Sequence, residues 1–154
     1  MRHASSHLDR KGRVKMVDVG AKAATERVAR AEAIVTMKRA TRKLALGGTG
    51  KKGDAIATAR VAGIQAAKRT PEWIPLCHAV ALTSVDVDID AHADGLRVVT
   101  TARATDRTGV EMEALVAASA AALTIYDMLK SVEREMTIAV RLIEKRGGKS
   151  DFRR

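Results

Sequence analysis

The sequence predicts an α+β fold, an antiparallel sheet with helices packed on one face, on three observations. Residues 82–90 alternate, with Val85, Val87 and Ile89 on one side and Asp86, Asp88 and Asp90 on the other. Asp94-Gly95 is a turn signal that sends the chain back as a second strand, Leu96–Ala104. Helical patterns stand before and after that hairpin, and a strand pattern at 136–144 follows the second.

Residues 1–15 read as a mobile basic tail, and 16–154 as a single domain. Residues 28–37 are ambiguous. Their alanine content suggests helix, while Ala29, Ala31, Ala33, Val35 and Met37 alternate against Arg30, Glu32 and Thr36 as in a strand. Residues 38–46 read as a helix ended by Gly47-Gly48, and a loop, G-G-T-G-K-K-G-D, follows. Asp54 is placed to cap a helix running to about Lys68, with Ala57, Val61 and Ile64 as its apolar stripe and Thr70-Pro71 as its stop. Thr108 starts the longest helix, reaching about Val132, with Thr108-x-x-Glu111 as a capping box. The order is strand, helices, two strands, helix, strand, for which a ferredoxin-like sandwich is the natural packing.

Apolar residues make up 46% of the 154, so the chain is globular, and aromatics only 2%, so Ala, Val, Ile, Leu and Met must build the core. A single cysteine, Cys77, excludes an intrachain disulfide and a Cys-rich zinc site. The formal charge of +10 is concentrated at the ends, with net +4 in residues 1–15 and again in 145–154. Residues 38–69 hold nine basic side chains against Asp54 alone, a density that suits a small polyanion such as a triphosphate as well as a nucleic acid. The first residues contain no apolar leader, and Ala114–Ile125 is short and interrupted by Ser119 and Thr124; the chain reads as cytoplasmic, with no membrane partner.

Four constellations could carry chemistry. The Gly47–Asp54 loop can bring backbone N–H groups and lysines to phosphate, but it is not a Walker A loop, because Lys52 stands where Ser or Thr is required. Arg146–Ser150 resembles half a phosphate loop, with Lys145 or Lys149 able to reach an anion. In Ile74–His78, neighbouring Cys77 and His78 point to opposite sides of an extended segment and do not form a nucleophile–base pair. Along the longest helix, Glu113 and Asp127 fall on one side, flanking Val116, Ala120 and Leu123. Acids at both ends of a stripe expected to be buried point to function. Fourteen residues of helix separate them by about 21 Å, so one small substrate reaches both most simply if Glu113 of one subunit stands beside Asp127 of another.

At these residues the chain resembles the MoaC family of molybdenum cofactor biosynthesis. The stretches are M-V-D-V-G-A-K (16–22), K-G-D (52–54), A-T-A-R-V-A-G-I-Q-A-A-K-R-T (57–70), I-P-L-C-H (74–78), T-G-V-E-M-E-A-L (108–115), L-T-I-Y-D-M (123–128) and G-G-K-S (147–150). The resemblance implies a ferredoxin-like fold and a hexamer built as a trimer of dimers, with the site at the dimer interface. The implied reaction is that of a lyase, cyclic pyranopterin monophosphate synthase. It converts 3′,8-cyclo-7,8-dihydroguanosine 5′-triphosphate to cyclic pyranopterin monophosphate and releases pyrophosphate. The resemblance assigns catalysis to Asp127, Lys52 and Lys130. It places Leu76, Cys77, His78, Met112 and Glu113 against the substrate, with Glu111 nearby and Lys22, Arg60, Lys68 and Lys149 as phosphate contacts. No cofactor is implied with certainty; Mg²⁺ could accompany the triphosphate, and no dedicated metal cage is visible. This chain departs from the family pattern at Ala79, where proline is usual, in a 138–142 segment one residue shorter, and at Asp151, where glycine is usual. Two alternatives stand beside this reading, a basic nucleic-acid-binding module of the same fold and an inactive paralogue that only assembles. Base-stacking sheets of this fold use strand aromatics, which the hairpin lacks.

Overall fold

The computed structural model describes residues 7–9 and 11–154; the rest of the expected basic tail, residues 1–6 and Arg10, lies outside them. The elements run β1 (Thr25–Thr36), α1 (Arg39–Leu46), α2 (Ala55–Lys68), α3 (Thr70–Trp73), β2 (Leu82–His92), β3 (Gly95–Asp106), α4 (Glu111–Leu129), β4 (Thr137–Arg146) and β5 (Phe152–Arg153). The sheet is antiparallel throughout, in the order β2-β3-β1-β4-β5, and its first four strands have the ferredoxin-like arrangement. In the described part of the tail, Leu8 pairs with Val14 around a turn held by the Asp9 carboxylate.

The ambiguous segment is a strand. Ala29, Ala31, Ala33 and Val35 of β1 are fully buried on the helix side, where methyl-sized side chains let α4 lie close to the sheet. Glu32 on the opposite side is also buried and accepts from Arg97 of β3 at 2.5 Å and Arg141 of β4 at 2.8 Å. Burial pushes its carboxyl up, but these two hydrogen bonds outweigh that and hold it below the ordinary value.

Asp54 caps α2 as the sequence indicates, accepting from the Ala57 N–H at 2.9 Å. Its buried side differs from expectation. Ala57 and Val61 are exposed, and the buried residues are Ala55, Ala59, Gly63, Ala66 and Ala67, with Gly63 set against Ala117 and Ala121 of α4. Backbones this close leave no room for branched side chains: a Cβ on Gly63 would sit 3.0 Å from the Ala117 carbonyl and 3.2 Å from Val87. Gly63→Leu should therefore destabilise the protein by overpacking, by about 1–3 kcal/mol. Thermal denaturation should show this as a Tm lowered by about 2–12 °C.

The long helix begins at Glu111, with Val110 as its N-cap and no side-chain cap. The expected capping box does not form. Among the described residues the buried Thr108 hydroxyl has no hydrogen-bond partner, and Glu111 instead folds back over Gly109. The buried side of α4 is Ala114, Ala117, Ala118, Ala121, Ala122, Ile125 and Leu129; the Glu113–Asp127 side is covered at Val116 but open by Leu123. By length and composition α4 could cross a membrane, yet it packs on β1 and β3 as a core helix.

Candidate functional site

Most of the predicted residues gather at the two ends of α4. At its C-terminal end, Asp127 projects from the last turn, and the Gly47–Asp54 loop delivers Lys52 to it. Gly48 and Gly53 adopt positive φ angles of 64° and 93°, conformations that glycine takes without strain. Lys52 Nζ lies 2.7 Å from one oxygen of Asp127 and also donates to its backbone carbonyl at 3.1 Å. Lys130, three residues along the helix, reaches the other oxygen at 2.6 Å. The Lys130 hydrogen bond, followed by that of Lys52, pulls the Asp127 carboxyl down to about 2. The result is an ionised carboxylate clasped by two ammonium groups, all three half-exposed. Such a set can bind an anion and pass a proton from either lysine.

The other cluster lies at the N-terminal end of α4. Glu113 is almost completely buried, and one carboxylate oxygen accepts from the Cys77 thiol at 3.8 Å. Its other oxygen has no hydrogen-bond partner among the described residues. Burial raises the Glu113 carboxyl, and the negative charges of Glu111 and Asp106 add to the effect. The Cys77 thiol is pushed up to about 11, by burial and then by Glu113. At pH 8 it should therefore react with iodoacetamide about 100-fold more slowly than a free thiol, as thiolate abundance dictates. Mass spectrometry of the native and the unfolded chain checks this; equal labelling rates would contradict it.

Cys77 and His78 do point to different sides. While Cys77 faces Glu113, the His78 ring lies 2.7 Å from the Val17 carbonyl, where it lines a cavity of about 610 Å³. The cavity collects Lys22, Arg27, Arg107, Lys145 and Lys149; among the described residues no acid lines it, with a Glu111 carboxylate oxygen 3.6 Å from the Lys145 ammonium. Lys22, His78 and Lys149 come from the sequence expectations, and Lys145 from the tail motif. Arg27 and Arg107 were not anticipated; they come from a strand and a strand end, where no motif marks them. Arg27 donates to the carbonyls of Asp106 and Arg107, and Arg107 to that of Lys22, so the protein backbone fixes both guanidinium groups. A cavity lined by five cations suits a polyphosphate.

Leu76 and Met112 are half-buried neighbours of Cys77 and Glu113 along the chain. Arg60 and Lys68 stand apart from both clusters. Arg60 donates to the Val87 carbonyl of β2 at 3.0 Å, while Lys68 is exposed at the end of α2 and does not line the cavity. Among the described residues no group of three or more His, Cys, Asp or Glu converges as a metal-ligand set.

One chain thus carries two clusters, an acid–lysine set and a cation-lined cavity, about 21 Å apart along the helix. The family model of MoaC matches residues 16–148, which span both clusters up to the glycine before Lys149. The chain belongs to the MoaC family and thereby has a role in molybdenum cofactor biosynthesis.

Proposed function

We propose that the protein is a cyclic pyranopterin monophosphate synthase, acting on 3′,8-cyclo-7,8-dihydroguanosine 5′-triphosphate and releasing pyrophosphate. The observation that carries this reading is the cavity lined by five cations, at the same end of α4 as the Cys77–Glu113 pair. The triphosphate lies among Lys22, Arg27, Arg107, Lys145 and Lys149, with His78 at its edge. Cations there stabilise the charge that develops on phosphorus and on the departing pyrophosphate. The base end lies toward Glu113, Cys77 and Met112. Rebuilding a ring requires protons to be given and taken, and Lys52, Asp127 and Lys130 supply that function. Since these three are about 21 Å away in the same chain, they come from a second subunit, in a hexamer assembled as a trimer of dimers. Mg²⁺, in this reading, arrives on the oxygens of the triphosphate.

The direct test is incubation of the purified protein with the cyclic dihydroguanosine triphosphate. Pyrophosphate and the cyclic phosphate product should appear in equal amounts, and GTP should yield neither. Absence of both products from an assembled, folded protein would refute the assignment.

A further inference from the structure

The segment that delivers Lys52 is fastened to the end of α4 at both of its own ends. At one end Lys52 itself pairs with Asp127. At the other, where α1 begins, the fastening is Glu133. α1 contributes little hold of its own there. Its N-cap residue, Lys38, makes no side-chain cap bond, its first turn contains no acid, and only Thr41 and Ala45 of its eight residues are buried. The third helical position, where a capping box places a glutamate, is Thr41. Glu133 supplies that carboxylate from 92 residues away. One of its oxygens accepts from the Lys38 N–H at 3.0 Å and from the Thr41 hydroxyl at 2.6 Å. A negative charge at this end also suits the helix dipole. Farther along α1, Arg42 donates to the carbonyls of His92 and Ala93 at the β2–β3 turn.

Glu133 is only 8% exposed and is tied to the end of α4. The N–H groups of Val132 and Glu133 donate to the Leu129 carbonyl at 2.8 and 3.2 Å. The hydroxyl of Tyr126, the neighbour of Asp127, donates to the Arg134 carbonyl at 2.9 Å. Asp127, Lys130 and Glu133 therefore stand on one braced stretch of chain, and residues 38–52 form a strap held by it at both ends. On its other side Lys52 is separated from the Asp54 cap of α2 by Gly53 alone, at φ 93°, about which Lys52 can swing once the α1 side slackens.

We propose that Glu133 is a positioning residue for Lys52: it fixes the start of the strap, and so the reach of Lys52, on the stretch of chain that carries Asp127 and Lys130. This rests on the assignment of Lys52 and Asp127 to proton transfer. Lys52 must leave Asp127 when it turns to a substrate, and Glu133 then still holds the strap to α4. Misplacing a reacting group by about 1 Å can cost about 100-fold in rate.

The experiment reads Lys52 directly, by brief acetylation with acetic anhydride and peptide mapping by mass spectrometry, with exposed Lys68 as the internal reference. Glu133→Ala should raise Lys52 labelling several-fold relative to Lys68, because the pair with Asp127 opens more often. It should lower kcat about 10- to 100-fold and leave KM within about twofold of wild type. Glu133→Gln should restore both readouts, because a single oxygen accepts both hydrogen bonds and an amide oxygen can do the same. In a Lys52→Ala background, Glu133→Ala should cause no further loss, as expected of two changes that act through one group. Unchanged Lys52 labelling in folded Glu133→Ala would overturn the proposal, as would an undiminished loss of activity in the Lys52→Ala background. Should Glu133→Ala not fold, Thr41→Val removes one of the two donors at nearly constant shape; it should raise Lys52 labelling, and wild-type labelling there refutes the proposal. If the wild-type protein turns over no substrate while Lys52 labelling rises in Glu133→Ala, the synthase reading falls and the fastening of Lys52 by Glu133 stands.

Discussion

Lys52→Ala should reduce turnover about 100- to 10,000-fold, the range expected for loss of a positioned proton-transfer group, while changing Tm little. Lys52 is half-exposed, and exposed ion pairs contribute about 0–1 kcal/mol. Lys52→Arg should rescue poorly, because a guanidinium hardly releases its proton and has another shape. Asp127→Asn should be equally damaging, since it removes the negative charge and replaces one of the two oxygens that hold Lys52 and Lys130 with a donor. The pH profile adds a check. The folded Asp127 carboxyl is held at about 2, below the usual 3.8. What this adds to stability is present above pH 4 and lost only as the pH falls toward 2. The acid limb of the rate profile between pH 5 and 8 should therefore not move when Lys130 is replaced by Met. Near-normal turnover by Lys52→Ala would remove Lys52 from the mechanism.

Co-expression of two inactive variants, Glu113→Gln and Asp127→Ala, should restore about a quarter of wild-type activity. In a two-fold dimer, each site takes Glu113 from one chain and Asp127 from the other, so a mixed dimer has one intact site and one lacking both groups. Random assembly makes half the dimers mixed, and half of their sites are intact. Glu113→Gln preserves the volume of a buried side chain, so it should assemble normally. Brief mixing of preformed oligomers should restore nothing. If tagged pull-down proves that mixed dimers form and activity is still absent, both acids serve one chain, or one of them has no part in the reaction.

Much of the fold was legible because it is written in large periodicities. The β2–β3 hairpin follows from Val85, Val87 and Ile89 against three aspartates, and the Asp54 cap from its place before an apolar run. The misread helix faces share one physical cause. Hydrophobic size, which sequence patterns weigh, selected Val61 and Leu123, but the α2–α4 contact selects for smallness and sets Gly63 against Ala117 and Ala121. Val61 and Leu123 are left about half-exposed. The capping box failed because Val110 took the cap position and Lys145, thirty-four residues beyond Glu111, provided a competing partner for its carboxylate. In the site, Lys52, Asp127 and Lys130 do meet, as do Cys77 and Glu113. Arg27 and Arg107 reach the cavity only through the pairing of β1 with β3, which no local pattern reveals.

The buried Glu32 has a consequence for how the chain comes to be folded. Its two arginines lie 65 and 109 residues downstream, one in each neighbouring strand. β1 is the first strand to leave the ribosome, yet it occupies the middle of the sheet and cannot be flanked on both sides until β4 has been synthesised. A nascent chain halted before β4 would hold Glu32 with one arginine at most, and an edge of β1 open to other chains. The fold therefore does not form in stages as the strands emerge; it closes only once β4 is available, around contacts distant in sequence, which is the slow regime for a small domain. Ribosome-bound fragments ending before residue 137 should remain sensitive to protease, and protection should appear only once the last strand has cleared the exit tunnel.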